Sequence, residues 1–382
     1  MSNTFQLQPT LCFTLLGTFI IFVWARPSRS ALLGVLIIAV GLRMALIRAM
    51  GSLGTYWGVR WIGWGAFLGI ASLLVQFVQI LRSRGRLADD DRKRLRETFY
   101  AGAVFPGCSM LIGYTVPLTI WLRHRTFDAF LLAFDGSLGA QPSFLFGRLL
   151  HWGSNYWGMT TVVYYALPAA VSIVYASHLA AERAGKRRVV SILALFLSLM
   201  AAGAALYAVY PAIGPLLAFP KLFPWNPPAL SEITLQPMTV RDFARNCMPS
   251  LHLSGALGVW WNSRLWARWG RMLAGLFLCA TIFATLALGE HYLVDLVVAV
   301  PFMMSLQAAW TVAVPLAEPR RRRPLVVGAL LTAAWIALLR YGLSLFFVSP
   351  VIPWALIVIT LSWSLVLERQ LGAAAYKSAY PS

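Results

Sequence analysis

Apolar runs, most of them close to the roughly 20 residues that a helix needs to cross a hydrocarbon core, alternate with short polar loops along this 382-residue chain. They fall near 9–25, 31–47, 62–81, 99–122, 157–180, 189–210, 249–262, 272–288, 291–312, 325–339 and 344–367. Backbone placed in hydrocarbon must satisfy its own hydrogen bonds, so runs of this kind predict helices. The expected fold class is all-α, a polytopic integral membrane bundle of about 10–11 transmembrane helices. With 59% of residues hydrophobic and 12% charged, little remains for a soluble domain.

The net charge of +19 would suit a nucleic-acid partner if the cations lined one soluble face. They lie instead in loops between apolar runs, which argues against nucleic acid and for membrane topology. Alternating loops put Arg26, Arg29, Arg82, Arg84, Arg86, Arg92, Lys93, Arg94 and Arg96 on one side, with Arg183 and Lys186 to Arg188. Arg264, Arg268, Arg271, Arg320 to Arg323, Arg369 and Lys377 follow, so that 22 of the 32 basic residues share it. That side is expected to be cytoplasmic, with the N-terminus outside and the C-terminus inside. A multi-pass protein of a bacterial inner membrane or a eukaryotic secretory membrane fits. Trp57, Trp61, Trp225, Trp260 and Trp261 suit an interfacial aromatic belt. Four scattered cysteines and no CxxC give neither a disulfide framework nor a zinc site. The first apolar run lacks the basic residues that precede a signal-peptide core and reads as a retained helix.

Ionisable residues at membrane depth are costly, and two stretches place them at the mouths of apolar segments. The first is Cys247-Met248-Pro249-Ser250-Leu251-His252, and the second is Gly289-Glu290-His291-Tyr292-Leu293-Val294-Asp295. The loop alternation puts both histidines on the outer, periplasmic or lumenal, side. His291 and Asp295 are four residues apart and share a helical face. A neutral imidazole attacks phosphorus well when a carboxylate holds its far nitrogen, which assigns His291 as nucleophile and Asp295 as its orienter. His252 can then protonate the leaving oxygen and deprotonate the acceptor. Ser250, the free amides of a helix start after Pro249, Arg241, Arg245 and the more distant Lys221 are the candidate phosphate contacts. The proline-rich outer loop from Pro211 to Cys247 is where headgroup selection is expected.

Met248-Pro249-Ser250-Leu251-His252 and His291-Tyr292-Leu293-Val294-Asp295 resemble the second and third signatures of the type 2 phosphatidic acid phosphatase superfamily. The pattern looks most like the branch containing fungal inositol phosphorylceramide synthase, and Tyr210-Pro211-Ala212-Ile213-Gly214-Pro215 resembles the start of that branch's large outer loop. The resemblance implies a six-helix catalytic core, phosphoryl transfer through a phosphohistidine on His291, and no metal or other cofactor. It also implies a lipid-phosphate or phospholipid donor and a lipid or water acceptor. Two departures stand out. The lysine–arginine–proline first signature is absent, and Thr285 replaces the arginine usual before the nucleophile. Both remove phosphate ligands typical of the phosphatases and shift the expectation toward transfer. The organisation expected is N-terminal helices over 1–98, a catalytic membrane core over 99–312, and C-terminal helices with a short tail over 313–382.

Other classes compete with this reading. A polyprenyl-phosphate-dependent sugar transferase needs a carboxylate in an early outer loop. The loop from Met44 to Trp61 has none, whereas Asp128 and Asp135 lie in the next. A lipid transporter would be expected to carry internal repeats and broken helices at the midplane, and no repeat is apparent. A metal site from His252, Glu290, His291 and Asp295 would have no distinctive ligand spacing. The bland reading of Ser250 is a helix cap, and that of Arg241 and Arg245 is a solvated loop.

Overall fold

A computed structural model of the chain describes residues 5–50, 53–55, 63–83, 89–153 and 157–379. Trp57, Trp61, Arg84 and Arg86 lie outside the described residues. In chain order the helices are α1 (Pro9–Trp24), α2 (Arg29–Met50), α3 (Trp64–Arg82), α4 (Asp89–Thr115), α5 (Leu118–Leu122), α6 (Asp128–Ser137), α7 (Pro142–Trp152) and α8 (Trp157–Tyr165). They continue with α9 (Leu167–Arg183), α10 (Ile192–Val209), α11 (Pro215–Ala218), α12 (Leu251–Asn262), α13 (Arg268–Ala287), α14 (Leu293–Trp310), α15 (Pro319–Tyr341) and α16 (Val351–Ala379). Strands are confined to two short ribbons among the described residues. In one, β1 (Phe5–Leu7) runs parallel to β2 (Leu53–Thr55), and in the other, β3 (Arg125–Thr126) is antiparallel to β4 (Met238–Thr239).

Seven of these helices, α2, α3, α10, α13, α14, α15 and α16, are long and apolar enough to cross a membrane. The pair α8 and α9, bent by 44°, makes up to eight. The chain is therefore an all-α, multi-pass membrane bundle, with fewer full spans than the 10–11 expected. Three runs account for the difference. The run near 9–25 folds into the 16-residue α1, and that near 249–262 into the 12-residue α12, each short of a bilayer. The run near 99–122 is divided between α4, whose first turns carry Asp89 to Arg96 and whose body contains Pro106, and the five-residue α5.

The helices form two compact units, one of Met1–Leu111 with Tyr165–Gly185 and one of Ile112–Tyr164 with Lys186–Ser382. In the first, α1 packs on α3 and α9, and α2 packs on α3. Gly65 and Gly69, one turn apart on α3, bring its backbone against the carbonyls of Cys12 and Leu15. A bond from Thr18 Oγ1 to the Gly102 carbonyl, 2.8 Å, ties α1 to α4.

The second unit is built around α14, which packs on α10, α12, α15 and α16. Its Leu-Val-Asp-Leu-Val-Val-Ala-Val start is apolar on nearly every side, the pattern of a helix surrounded by protein. Gln307 and Asn262 exchange two amide hydrogen bonds, 2.9 and 3.1 Å, and so fix α12 against it. Arg321 donates to the carbonyls of Ala308, Ala309 and Val314, satisfying the C-terminal end of α14. Trp261 is 2% exposed inside this unit, so it is a core residue and not part of an interfacial belt. The same unit contains every side chain described in the next section.

Candidate active site

The N-terminus of α14 carries the third-signature residues, and the packing that surrounds it sets their geometry. Leu293 and Val294 begin the helix with free backbone amides, which the Asp135 carboxyl accepts at 2.8 and 3.3 Å. One helix of ten residues places Asp128 two turns before Asp135, on the same face. The Asp128 carboxyl accepts from the amides of Ile213 and Gly214, at 3.1 and 3.0 Å, and from the Tyr292 hydroxyl at 3.1 Å. A pair of carboxyls on α6 therefore holds both the loop at 212–214 and the residue next to His291. Burial pushes Asp128 up to about 6 and Asp135 up to about 8, while the bonds each accepts pull the other way.

Two glycines let these loops meet. Gly214, at φ +88°, lies so close to the Glu290 carbonyl that a Cβ would sit 2.4 Å from it. Gly289, at φ +70°, packs under Leu216 and Phe223, and its carbonyl accepts from the Leu216 amide at 2.9 Å. Ser143, at the start of α7, donates to the His291 carbonyl at 2.8 Å. The His291 amide bonds the Thr285 carbonyl, 3.2 Å away. The His291 backbone is thus held from α7 and α13.

His291 Nδ1 faces Asp295 Oδ2 across 3.5 Å, with His291 1% exposed and Asp295 fully buried. The separation is longer than a hydrogen bond, and Nδ1 has no other partner among the described residues. Oδ2 also accepts from the Tyr292 amide and from the Cys247 thiol, each at 2.8 Å. Nε2 is left as the imidazole nitrogen facing away from the carboxylate. The ring centroid of His252 lies 6.3 Å from that of His291, with the planes at 60°. Tyr164 of α8 stacks on His252, with centroids 3.7 Å apart and planes at 23°, which fixes the orientation of that ring.

Ser250 caps α12, accepting from the Leu253 amide at 3.3 Å, while its own amide donates to the Asp295 carbonyl at 3.3 Å. That backbone bond brings the two signatures together. The Ser250 hydroxyl takes the Leu253 amide and the Tyr207 hydroxyl takes the Leu251 amide, so α12 offers an anion the amide of His252, whereas the first two amides of α14 are occupied by Asp135. Of the expected residues, His252, His291, Asp295 and Ser250 converge.

The three cations do not join them. Arg245 is fully buried, and its guanidinium donates to the carbonyls of Arg123, Asp242, Phe243 and Val240. It clasps the outer loop instead of waiting for phosphate, because four carbonyls take four of its five N–H donors. Arg241 and Lys221 are exposed on the loop, and no contact among the described residues joins either to the histidines.

Asp128, Asp135, Cys247, Ser143 and Tyr164 are the residues that motif reading does not assign to the site. Cys247 borders the second signature. Two aspartates seven residues apart on an otherwise apolar stretch signal one helical face with work to do. Nothing in the sequence pairs Tyr164 with His252.

Cys247 Sγ, His291 Nδ1 and an Asp295 carboxyl oxygen lie within 4.8 Å of one another, a set different from the His252, Glu290, His291 and Asp295 grouping that the sequence disfavoured as a metal site. A metal would need the thiolate, yet Sγ donates to Asp295 and burial pushes the thiol well above its ordinary value. The donor chemistry therefore fits a hydrogen-bonded cluster better than a metal centre. Burial likewise raises the Glu290 carboxyl.

Two imidazoles and a buried carboxylate thus meet where α12 and α14 begin, and these are side-chain types that nucleophilic catalysis at phosphorus uses. Residues 129–310 match the family model of the PAP2 superfamily, a span that contains both signatures. The match supports that type of function and agrees with the superfamily resemblance read from the signatures. No curated protein and no solved structure matches the chain.

Proposed function

We propose that the protein transfers a phosphoryl headgroup between lipids at the outer face of the membrane through a phosphohistidine on His291. The observation that carries this reading is the His291–Asp295 pair, buried at the start of α14 and faced by His252. His291 Nε2 forms a bond to phosphorus as the bond from phosphorus to the leaving oxygen breaks, and protonated His252 gives that oxygen its proton. In the second step the acceptor hydroxyl gives its proton to His252 while its oxygen bonds phosphorus and the phosphorus–nitrogen bond breaks. Asp295 stabilises the cationic ring in both steps. The His252 amide at the start of α12 and the Ser250 hydroxyl bind phosphoryl oxygens.

With a glycerophospholipid as donor, diacylglycerol leaves and the headgroup, inositol-phosphate-like in the branch resembled, passes to a lipid hydroxyl. Transfer is preferred over hydrolysis because the first-signature cations are missing and Thr285 replaces an arginine. Sugar transfer is disfavoured because Asp128 and Asp135, its candidate carboxylates, already hold backbone amides. Residues 99–312 would act as the catalytic core, with 1–98 and 313–382 flanking it.

Lipid mass spectrometry tests the proposal, using purified wild type and His291→Ala incubated with phospholipids, lipid phosphates and ceramide in the presence of a chelator. New headgroup-bearing lipids made by the wild type alone support transfer, and released phosphate alone supports a lipid phosphatase. Activity retained in His291→Ala, or lost on chelation, sinks the mechanism. His252→Ala should slow both the formation and the breakdown of the acid-labile phosphoryl-enzyme on His291.

A further inference from the structure

We propose that the first compact unit holds a second, non-catalytic site for an anionic phospholipid whose headgroup carries hydroxyls. A cavity of about 640 Å³ opens where the C-terminal ends of α1, α3 and α9 meet the start of α4. These are the ends next to the arginine-rich loops, which the charge bias assigns to the cytoplasmic leaflet. Arg26, Arg94 and Arg183 line it, against a single lining carboxylate, Asp91. Glu97 acts on Arg183 electrostatically but does not line the cavity. Its other wall is apolar, with Ile21, Phe22 and Ala176 nearly fully buried and Trp24 exposed at the edge.

Two buried polar atoms in this lining state what the ligand must supply. Arg183 Nη2 is held by Thr98 Oγ1 at 2.8 Å and by the Arg94 carbonyl at 3.3 Å, but its Nε is buried with no acceptor among the described residues. Gln76, 1% exposed, donates from Nε2 to the Ser72 carbonyl at 3.0 Å, which fixes the amide and leaves Oε1 buried with no donor among the described residues. An unmet donor beside guanidiniums calls for a phosphate oxygen, and an unmet acceptor calls for a hydroxyl or an ammonium. Three guanidiniums against one carboxylate disfavour the ammonium. The apolar wall suits acyl chains, so the ligand is a phospholipid with a hydroxylated, net-negative headgroup.

Native mass spectrometry of the full chain, in a His291→Ala background that blocks turnover by the proposed nucleophile, tests this with four probes. They are phosphatidylglycerol, phosphatidylethanolamine, phosphatidic acid and inorganic phosphate. Phosphatidylglycerol should be retained at least tenfold more tightly than phosphatidylethanolamine. Arg26→Gln and Arg94→Gln, at exposed positions, should each weaken it roughly fivefold. Gln76→Leu should erase the preference for phosphatidylglycerol over phosphatidic acid while keeping the anion requirement. Equal retention of phosphatidylglycerol and phosphatidylethanolamine overturns the site, as does unchanged retention in the folded Arg26→Gln/Arg94→Gln double variant. Displacement of the lipid by millimolar inorganic phosphate would overturn the lipid assignment in favour of a soluble anion. None of these readouts depends on turnover, so they stand or fall separately from the phosphotransfer reading.

Discussion

Replacing Asp295 with asparagine separates the charge at the site from its geometry. The asparagine carbonyl oxygen can take the Oδ2 position and keep the bonds from the Tyr292 amide and the Cys247 thiol. Its amide nitrogen then falls at the Oδ1 position, which has no hydrogen-bond partner, so the fold loses about 1–2 kcal/mol and survives. The charge loss is larger. An imidazolium forming on His291 sits 3.5 Å from Oδ2, and at an effective dielectric of about 20 that attraction is roughly 5 kcal/mol. Converted to rate it is a loss of about 10³- to 10⁴-fold, in the range known for carboxylate-oriented histidines. The assay is single-turnover and steady-state product formation by lipid mass spectrometry at pH 7, with a thermal melt on the same preparation. KM should change little, because the interaction grows as the cation forms. A fall in kcat below about tenfold, with the melt unchanged, would reduce Asp295 to a structural partner and refute the electrostatic argument.

Arg245→Ala should lower stability by about 2–4 kcal/mol by stranding buried carbonyls, whereas Arg241→Ala and Lys221→Ala leave the melt unchanged; denaturation of the three variants decides. Tyr164→Leu should lower kcat by about three- to tenfold through loss of the ring stack on His252, and Tyr164→Phe by less; equal losses would point to the hydroxyl instead. Asp135 also gives stability a pH dependence. Its carboxyl is raised to about 8 chiefly by burial, so the folded protein keeps a proton that the unfolded chain releases near pH 4. The folded state thus binds more protons between about pH 4 and pH 8, and stability declines as pH rises through that window. Thermal melts of Asp135→Asn should show a shallower decline from pH 5 to pH 8 than the wild type, and parallel slopes would contradict this.

What the sequence made legible follows from how local each constraint is. The seven long spans announce themselves because each satisfies the bilayer alone. The 12-residue α12 reads as a span from its apolar run, yet its length is set by a short 3₁₀ turn at Ser263–Leu265 that apolar periodicity does not reveal. Pro168, just inside α9, marks a bend that a continuous apolar run conceals. At the site, His252, His291 and Asp295 are legible because each signature is contiguous and one helical turn joins the last two. Arg245 misleads for the opposite reason: it stands next to the second signature, but its partners include Arg123, far back in the chain.

The same long-range logic gives the carboxyls around α14 different tasks. Asp128 and Asp135 project from one face of α6 onto backbone amides that would otherwise compete for Asp295 or for substrate phosphate. Asp295 is then the carboxylate that faces the imidazole, and the Cys247 and Tyr292 bonds fix which of its oxygens does so. The start of α14, its first amides filled by Asp135, is closed to a phosphoryl group, whereas the start of α12 keeps the His252 amide and the Ser250 hydroxyl, the donors to which the proposed mechanism assigns the phosphate. In that reading His252 lies beside the phosphate and reaches both the departing and the arriving oxygen, which is the position a shared acid and base needs.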